Sequence, residues 1–212
     1  MTSATRTRRR PEERRAQLIE LGLELLATRS SLDDLPMAEL AAAAGISKGL
    51  VFHYFGSKRD FQAAVAEAAA DEFFAVTEPD PTLDLDVQLR QSMEAFVGYV
   101  SQNRDAYVNL VRGTGGGDDA MSSLFGRTRD RFVGRILERL GAADDPSAML
   151  RLAVRGWVAM AEEVTVTWAG DPRPDEAAVL TLLSDSLAHL VLMAVSATPV
   201  VSDLDAVDHA AD

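Results

Sequence analysis

Residues 37–57 read MAELAAAAGISKGLVFHYFGS, and the spacing of their glycines and serines limits what the chain can become. Met37, Leu40, Ala41 and Ala44 repeat at helical spacing, and Gly45 follows them. A glycine just past such a run takes the left-handed conformation that ends a helix. Ser47 suits the N-cap of a second helix. Gly56 breaks that helix, and Ser57 can cap a third. Two helices joined by a three-to-four-residue turn containing glycine form a helix-turn-helix.

The rest of the chain also reads as helix. Alanine and leucine dominate, and long β-branched runs are scarce. Pro11 fits a first helical position, Glu12 and Glu13 suit a first turn, and Leu18, Leu21 and Leu25 repeat behind them. A helix is therefore predicted over 11–28, and others over 37–44, from Ser47 to the Gly56 break, and from Lys58 to about Val76. Beyond these, helices are predicted over 86–102, 106–112, 120–140, 147–169 and 175–197. Asn103-Arg104-Asp105 is expected to interrupt the first pair of these, and Asp171–Pro174 to form a rigid link. The glycine-rich 113–119 lacks the lysine-serine end of a nucleotide loop and follows no strand, so it reads as a flexible connection. The expected organisation is all-α. It has a flexible basic arm over 1–10, a three-helix DNA-binding domain over 11–60, a larger helical domain over 61–198 and an acidic tail over 199–212.

Charge divides along the same line. Residues 1–60 hold ten Lys/Arg against eight Asp/Glu, whereas 61–212 hold eleven against 25. The whole chain carries −12, so a general polyanion binder, which is basic throughout, is disfavoured. Nucleic-acid contact belongs to the basic front. The absence of cysteine excludes disulfides, thiolate metal sites and cysteine nucleophiles. Of three histidines, none stands in a His-x-x-x-His or Glu-x-x-His pattern, so neither an enzyme nor a metal site is expected. The N-terminus lacks the apolar segment of a secretory signal, and no apolar run reaches the ~18 residues of a membrane span, so a cytoplasmic location without membrane contact is expected.

In a helix-turn-helix the second helix enters the major groove by its N-terminal residues. Ser47, Lys48, Gly49 and Leu50 hold that position. Glycine there costs about 1 kcal/mol of helix propensity but lets the backbone approach DNA. Val51 and Phe55 lie four apart, as an inward face requires, while His53 and Tyr54 point elsewhere and can donate to phosphates. Lys58 sits at a helix N-terminus, where it and the backbone N–H groups favour a phosphate. Gly49, Leu50 and Phe52 are the candidates for contact with bases or thymine methyls. The arginine-rich RTRRRPEERR is either an arm for a minor groove or a solubilising tail.

Residues 37–61, MAELAAAAGISKGLVFHYFGSKRDF, resemble the DNA-binding signature of the tetracycline-repressor (TetR) family. The likeness rests on LAAAAGIS, the lysine-glycine pair, the aromatic cluster ending in HYF and the following SK. It extends over about 50 residues, from Arg14 to Phe61. It implies a homodimeric transcription factor, most often a repressor, whose C-terminal domain binds a small molecule that loosens its hold on DNA. A ligand-dependent activator or corepressor-type regulator on the same fold is the alternative. This sequence departs from the family pattern at Pro36, where a capping threonine is common, and at Phe52, where a tyrosine is common. Leu50 stands where many members carry a small or hydroxylated residue.

In the body, residues 187–197 are apolar almost all round, with His189 and Ser196 the polar exceptions. Such a helix must be covered on several sides, either as the central core of a monomer or by a second copy. The resemblance implies the second, with the last two long helices pairing into a homodimer. Phe96, Tyr99, Val100, Tyr107, Met121, Phe125, Trp157, Met160, Glu163 and Thr167 are the candidate ligand-binding residues. They combine large apolar groups with a few polar ones, as a pocket, a core or a dimer seam would. The expected ligand is modest in size and largely apolar. It is cationic if Glu163 faces inward, whereas a solvent-facing or salt-bridged Glu163 has no such role. No cofactor is expected.

Overall fold

The computed structural model describes residues 10–29, 31–112 and 119–196. These form nine α-helices and one 3₁₀ turn: α1 Pro11–Ala27, the turn Leu32–Asp34, α2 Met37–Ala43, α3 Lys48–Phe55, α4 Lys58–Val76, α5 Leu85–Gln102, α6 Arg104–Arg112, α7 Asp119–Arg139, α8 Ala148–Trp168 and α9 Glu176–Ser196. No strand occurs among the described residues. The interruption between α5 and α6 is narrower than the sequence suggests: Asn103 alone caps α5, and Arg104 and Asp105 already belong to α6. The Asn103 side chain donates to the Tyr99 carbonyl, so one capping residue suffices. Most of the expected arm, the glycine-rich 113–118 and the expected tail lie outside the described residues.

The caps act as the residue types dictate. Gly45 has φ of 65°. The N–H groups of Gly45 and Ile46 donate to the Ala42 and Ala41 carbonyls, the paired closure of a helix that ends in a left-handed glycine. Ser47 Oγ accepts from the Leu50 N–H at 3.3 Å, and Ser57 Oγ from the Asp60 N–H at 3.1 Å. Pro36 precedes α2 and supplies no side-chain cap.

Helices α1 to α3 and the first turns of α4 enclose one core, built on Leu18, Leu26, Leu40, Val51, Phe55, Phe61 and Val65. Helix α1 crosses α4 at Gly22, where a Cβ would stand 2.5 Å from Val65 Cγ2 and 2.9 Å from Phe61 Cζ. Both of those side chains are fully buried. A second core joins Phe73 near the end of α4 to Phe96, Val97 and Val100 of α5, Trp157 and Ala161 of α8, and Leu183 and Leu187 of α9. Helix α4 thus spans the position expected as the domain boundary and belongs to both cores. The Trp157 indole N–H ties α8 to α9, donating to the Leu183 carbonyl at 3.0 Å and to Ser186 Oγ at 3.1 Å.

Helix α9 does not sit at the centre of the chain. Val179, Leu183, Leu187 and Ala194 are buried, but Leu182, Leu192, Met193 and Val195 face outward. The monomer-core alternative is therefore overturned: one face of α9 meets α5 and α8, and the other meets no part of the described chain. Over an 18-residue window α9 has a mean hydropathy of 1.9, long and apolar enough to cross a membrane, although Asp185 and Ser186 interrupt its apolar residues. The window average thus passes where an uninterrupted apolar run, the measure applied to the sequence, does not.

Replacing Gly22 with alanine forces a methyl group into the α1–α4 crossing. A loss of about 1–3 kcal/mol is expected from such overpacking. Urea unfolding should show it as a lower midpoint with an unchanged slope.

Candidate functional site

Helix α3 presents its N-terminus to solvent. Ser47, Lys48, Gly49 and Leu50 are exposed, as is His53 one turn further on. Val51 and Phe55 turn inward, and Phe55 meets Phe61 edge to face at 5.0 Å. Phe52 and Tyr54 are half-buried against the same core, so each shows only part of its ring. A Cβ on Gly49 would meet nothing closer than Ser47 Oγ at 3.9 Å. The fold itself does not require glycine there. Lys58 is exposed and donates through Nζ to the Asp33 carbonyl at 2.7 Å, which leaves two further N–H groups. Arg14 secures the turn from the side of α1, with Nη1 donating to the Ala44 carbonyl at 3.2 Å. That tie was not anticipated from the sequence.

A cavity of about 330 Å³ lies in the body among α4, α5, α7, α8 and α9. Four of the anticipated residues meet there: Phe96, Tyr107, Phe125 and Trp157. A second cavity, of about 480 Å³, lies between the head and the body, with Tyr99 in its wall. Phe73, Tyr107, Phe125 and Thr128 line both and form the partition. Val100 is buried in the core and lines neither cavity. Met160, Glu163 and Thr167 also line neither. Glu163 and Thr167 are exposed on the outer face of α8 and bond to each other at 3.1 Å. One residue shifts a helix face by 100°, so Glu162 is the glutamate that faces the cavity. The Met121 side chain lies outside the described set.

The polar part of the wall was missed, and it comes from α7. Glu162 takes a bidentate bond from Arg129, at 2.7 Å from Nε and 2.8 Å from Nη2. Burial is the main reason the Tyr107 hydroxyl is pushed far above its usual pKa, with Glu162 adding to the effect, so it stays protonated. Nearer the α4–α5 loop, Arg135 lies against the Phe74 ring at 3.4 Å. Its Nη1 donates to Thr77 Oγ1 at 3.1 Å, and its Nη2 meets the Phe74 carbonyl and Glu78, both at 2.7 Å. Arg139 shares Glu78 at 2.9 Å, Arg131 pairs with Asp71 at 2.5 Å, and Arg127 reaches Glu67 at 3.9 Å. Arg127, Arg131, Arg135 and Arg139 recur every four residues, a signal present in the sequence. They lace the cavity-bearing α7 to α4.

Residues 18–65 match the family of bacterial regulatory proteins of the tetR type, and residues 85–190 match the tetracyclin repressor-like C-terminal domain. A tetR-family transcriptional regulator from Streptomyces coelicolor is 31% identical, with a TM-score of 0.75 over 87% of this chain and 83% of that one. The chain belongs to the TetR family of transcriptional regulators. A TetR-like regulator from Rhodococcus sp. is 25% identical, with a TM-score of 0.60 over 86% of this chain and 97% of that one. FadR from Bacillus subtilis, solved in complex with stearoyl-CoA, shares the fold at 15% identity, with a TM-score of 0.58 over 83% of this chain and 97% of its own. No curated protein matches the chain. Membership makes it a DNA-binding regulator with a helix-turn-helix head and a ligand-binding C-terminal domain.

The arginine ladder should rank in stability. Arg135→Met removes three hydrogen bonds and a stacked cation from a buried site, for an expected loss of roughly 2–3 kcal/mol. Arg127→Met removes a long, exposed pair and should stay within about 0.5 kcal/mol. Thermal unfolding of the two variants checks the order.

Proposed function

We propose that this TetR-family chain is a homodimeric repressor that holds a palindromic operator and is released from it by a small, largely apolar effector in the α5–α7–α8 cavity. The observation that carries the reading is the sharing of α4. Its first turns complete the head core under α3, and its last turn is fastened by Arg135, with Arg139 on the Glu78 just beyond, to the helix that walls the cavity. Material entering the cavity acts on α7, α7 acts on α4, and α4 carries α3. A coupling of about 1–3 kcal/mol is typical of such linkage.

On DNA, Gly49, Leu50 and Phe52 supply contacts to bases and methyl groups, while Ser47, Lys48, His53, Tyr54 and Lys58 hold phosphates. The open space over Gly49 supports this, since nothing in the protein calls for its small size. One short helix reads few base pairs, whereas two heads about 34–36 Å apart read an inverted repeat. The outward apolar face of α9, with Leu152 of α8 beside it, supports pairing of the last two long helices with their copies. Gly156 and Ala159 on the exposed side of α8 allow close approach. The setting is cytoplasmic, with no membrane partner.

Selection from a random DNA pool should return an inverted repeat, and recovery of no motif would count against sequence-specific reading. Gly49→Ala separates function from folding. The helix gains roughly 0.5–1 kcal/mol of propensity, so the melting temperature rises. Operator affinity should fall about tenfold, read by fluorescence anisotropy at fixed salt. Leu192→Asp together with Met193→Asp should give a monomer by sedimentation and abolish tight operator binding.

A further inference from the structure

The cavity has a shape and a chemistry that narrow the effector class, an inference that rests on the effector reading above. One face of α7 lines it from Phe125 to Arg139. Such a stretch of helix spans about 21 Å, so a volume of about 330 Å³ forms a narrow slot. Exposed Leu85 and Leu140 mark one end, and Tyr107 with the Arg129–Glu162 pair marks the other. The walls between are apolar.

The inner end offers donors. Arg129 uses Nε and Nη2 on Glu162, and its Nη1 has no partner among the described residues. Arg129 and Tyr107 both line the cavity wall. The Tyr107 hydroxyl also has no hydrogen-bond partner among the described residues, and it is held protonated. Glu162 already neutralises Arg129, so a second carboxylate brought there would meet one already in place. At the outer end Arg135 has both Nη atoms engaged and its Nε sealed within the wall. Asp86 lines that end as well.

The geometry points to an elongated, uncharged effector with one carbonyl-type acceptor, bound with that oxygen on Arg129 Nη1 and the Tyr107 hydroxyl and its apolar body along the slot. A ketone, ester, amide or lactone on an alkyl chain fits. An alkyl carboxylate does not, because Glu162 opposes it.

The test uses three probes of matched length on the full chain: methyl decanoate, 1-decene and decanoate. Binding is followed by tryptophan fluorescence and by thermal shift. Methyl decanoate should bind about tenfold tighter than either of the others. Tyr107→Phe should weaken it about fivefold, the effect of one neutral hydrogen bond, and leave 1-decene unchanged. Glu162→Gln frees the Arg129 charge and should move the preference toward decanoate by about tenfold. Equal binding of 1-decene and the ester overturns the acceptor site while leaving an effector cavity standing. Tighter binding of decanoate to the unaltered chain assigns recognition to the outer arginines and overturns it too, as does a Tyr107→Phe variant with undiminished ester affinity. Binding of none of the three at their solubility limits removes the effector cavity itself, and this inference with it.

Discussion

Helix α4 must pack at both ends at once. At its start, Phe61 and Val65 close on Gly22 with no room for a methyl group. At its end, Phe73 enters the body core, and Arg135 is sandwiched by its stack on Phe74 and its bonds to Thr77 and Glu78. Packed interiors are nearly incompressible, so neither end can move without moving what surrounds it. The reading head is therefore fixed to the body through a continuous helix.

The ladder on α7 also settles how the acidic body coexists with a DNA-binding head. All five arginines of α7 are paired: Arg127, Arg129, Arg131, Arg135 and Arg139 meet carboxylates of the chain. Their charge is spent largely within the chain. The first 60 residues carry a small excess of cations, and the excess carboxylates of the body repel a polyanion. That field orients an encounter with DNA head first, and its reach shrinks with salt.

Much of this was legible in the sequence because the head depends on local rules. Gly45, Ser47, Gly56 and Ser57 set helix ends within a residue or two, and the inward set of Met37, Leu40, Val51 and Phe55 follows from spacing alone. The cavity was less legible. Phe96, Tyr107, Phe125 and Trp157 stood out by size, but which of Glu162 and Glu163 turns inward depends on the rotation of α8, which is set by its neighbours. Both lie on a helix whose two faces are largely apolar, one meeting the core and one meeting solvent in the single chain. The hydrophobic pattern therefore could not choose between them. The four-residue repeat of arginines on α7 was visible, yet its partners on α4 lie some sixty residues away and only the fold brings them together.

The length of α4 has a mechanical consequence. Its 19 residues make a rod of about 28 Å. Held near Glu78, such a rod tilted by about 5° carries its Ser57 end through roughly 2.5 Å, close to the length of a hydrogen bond. Angular change at the arginine-fastened end is thus magnified into linear change at the DNA-facing end. A cavity wall needs to yield only slightly for the DNA-facing end of the helix to shift by that much.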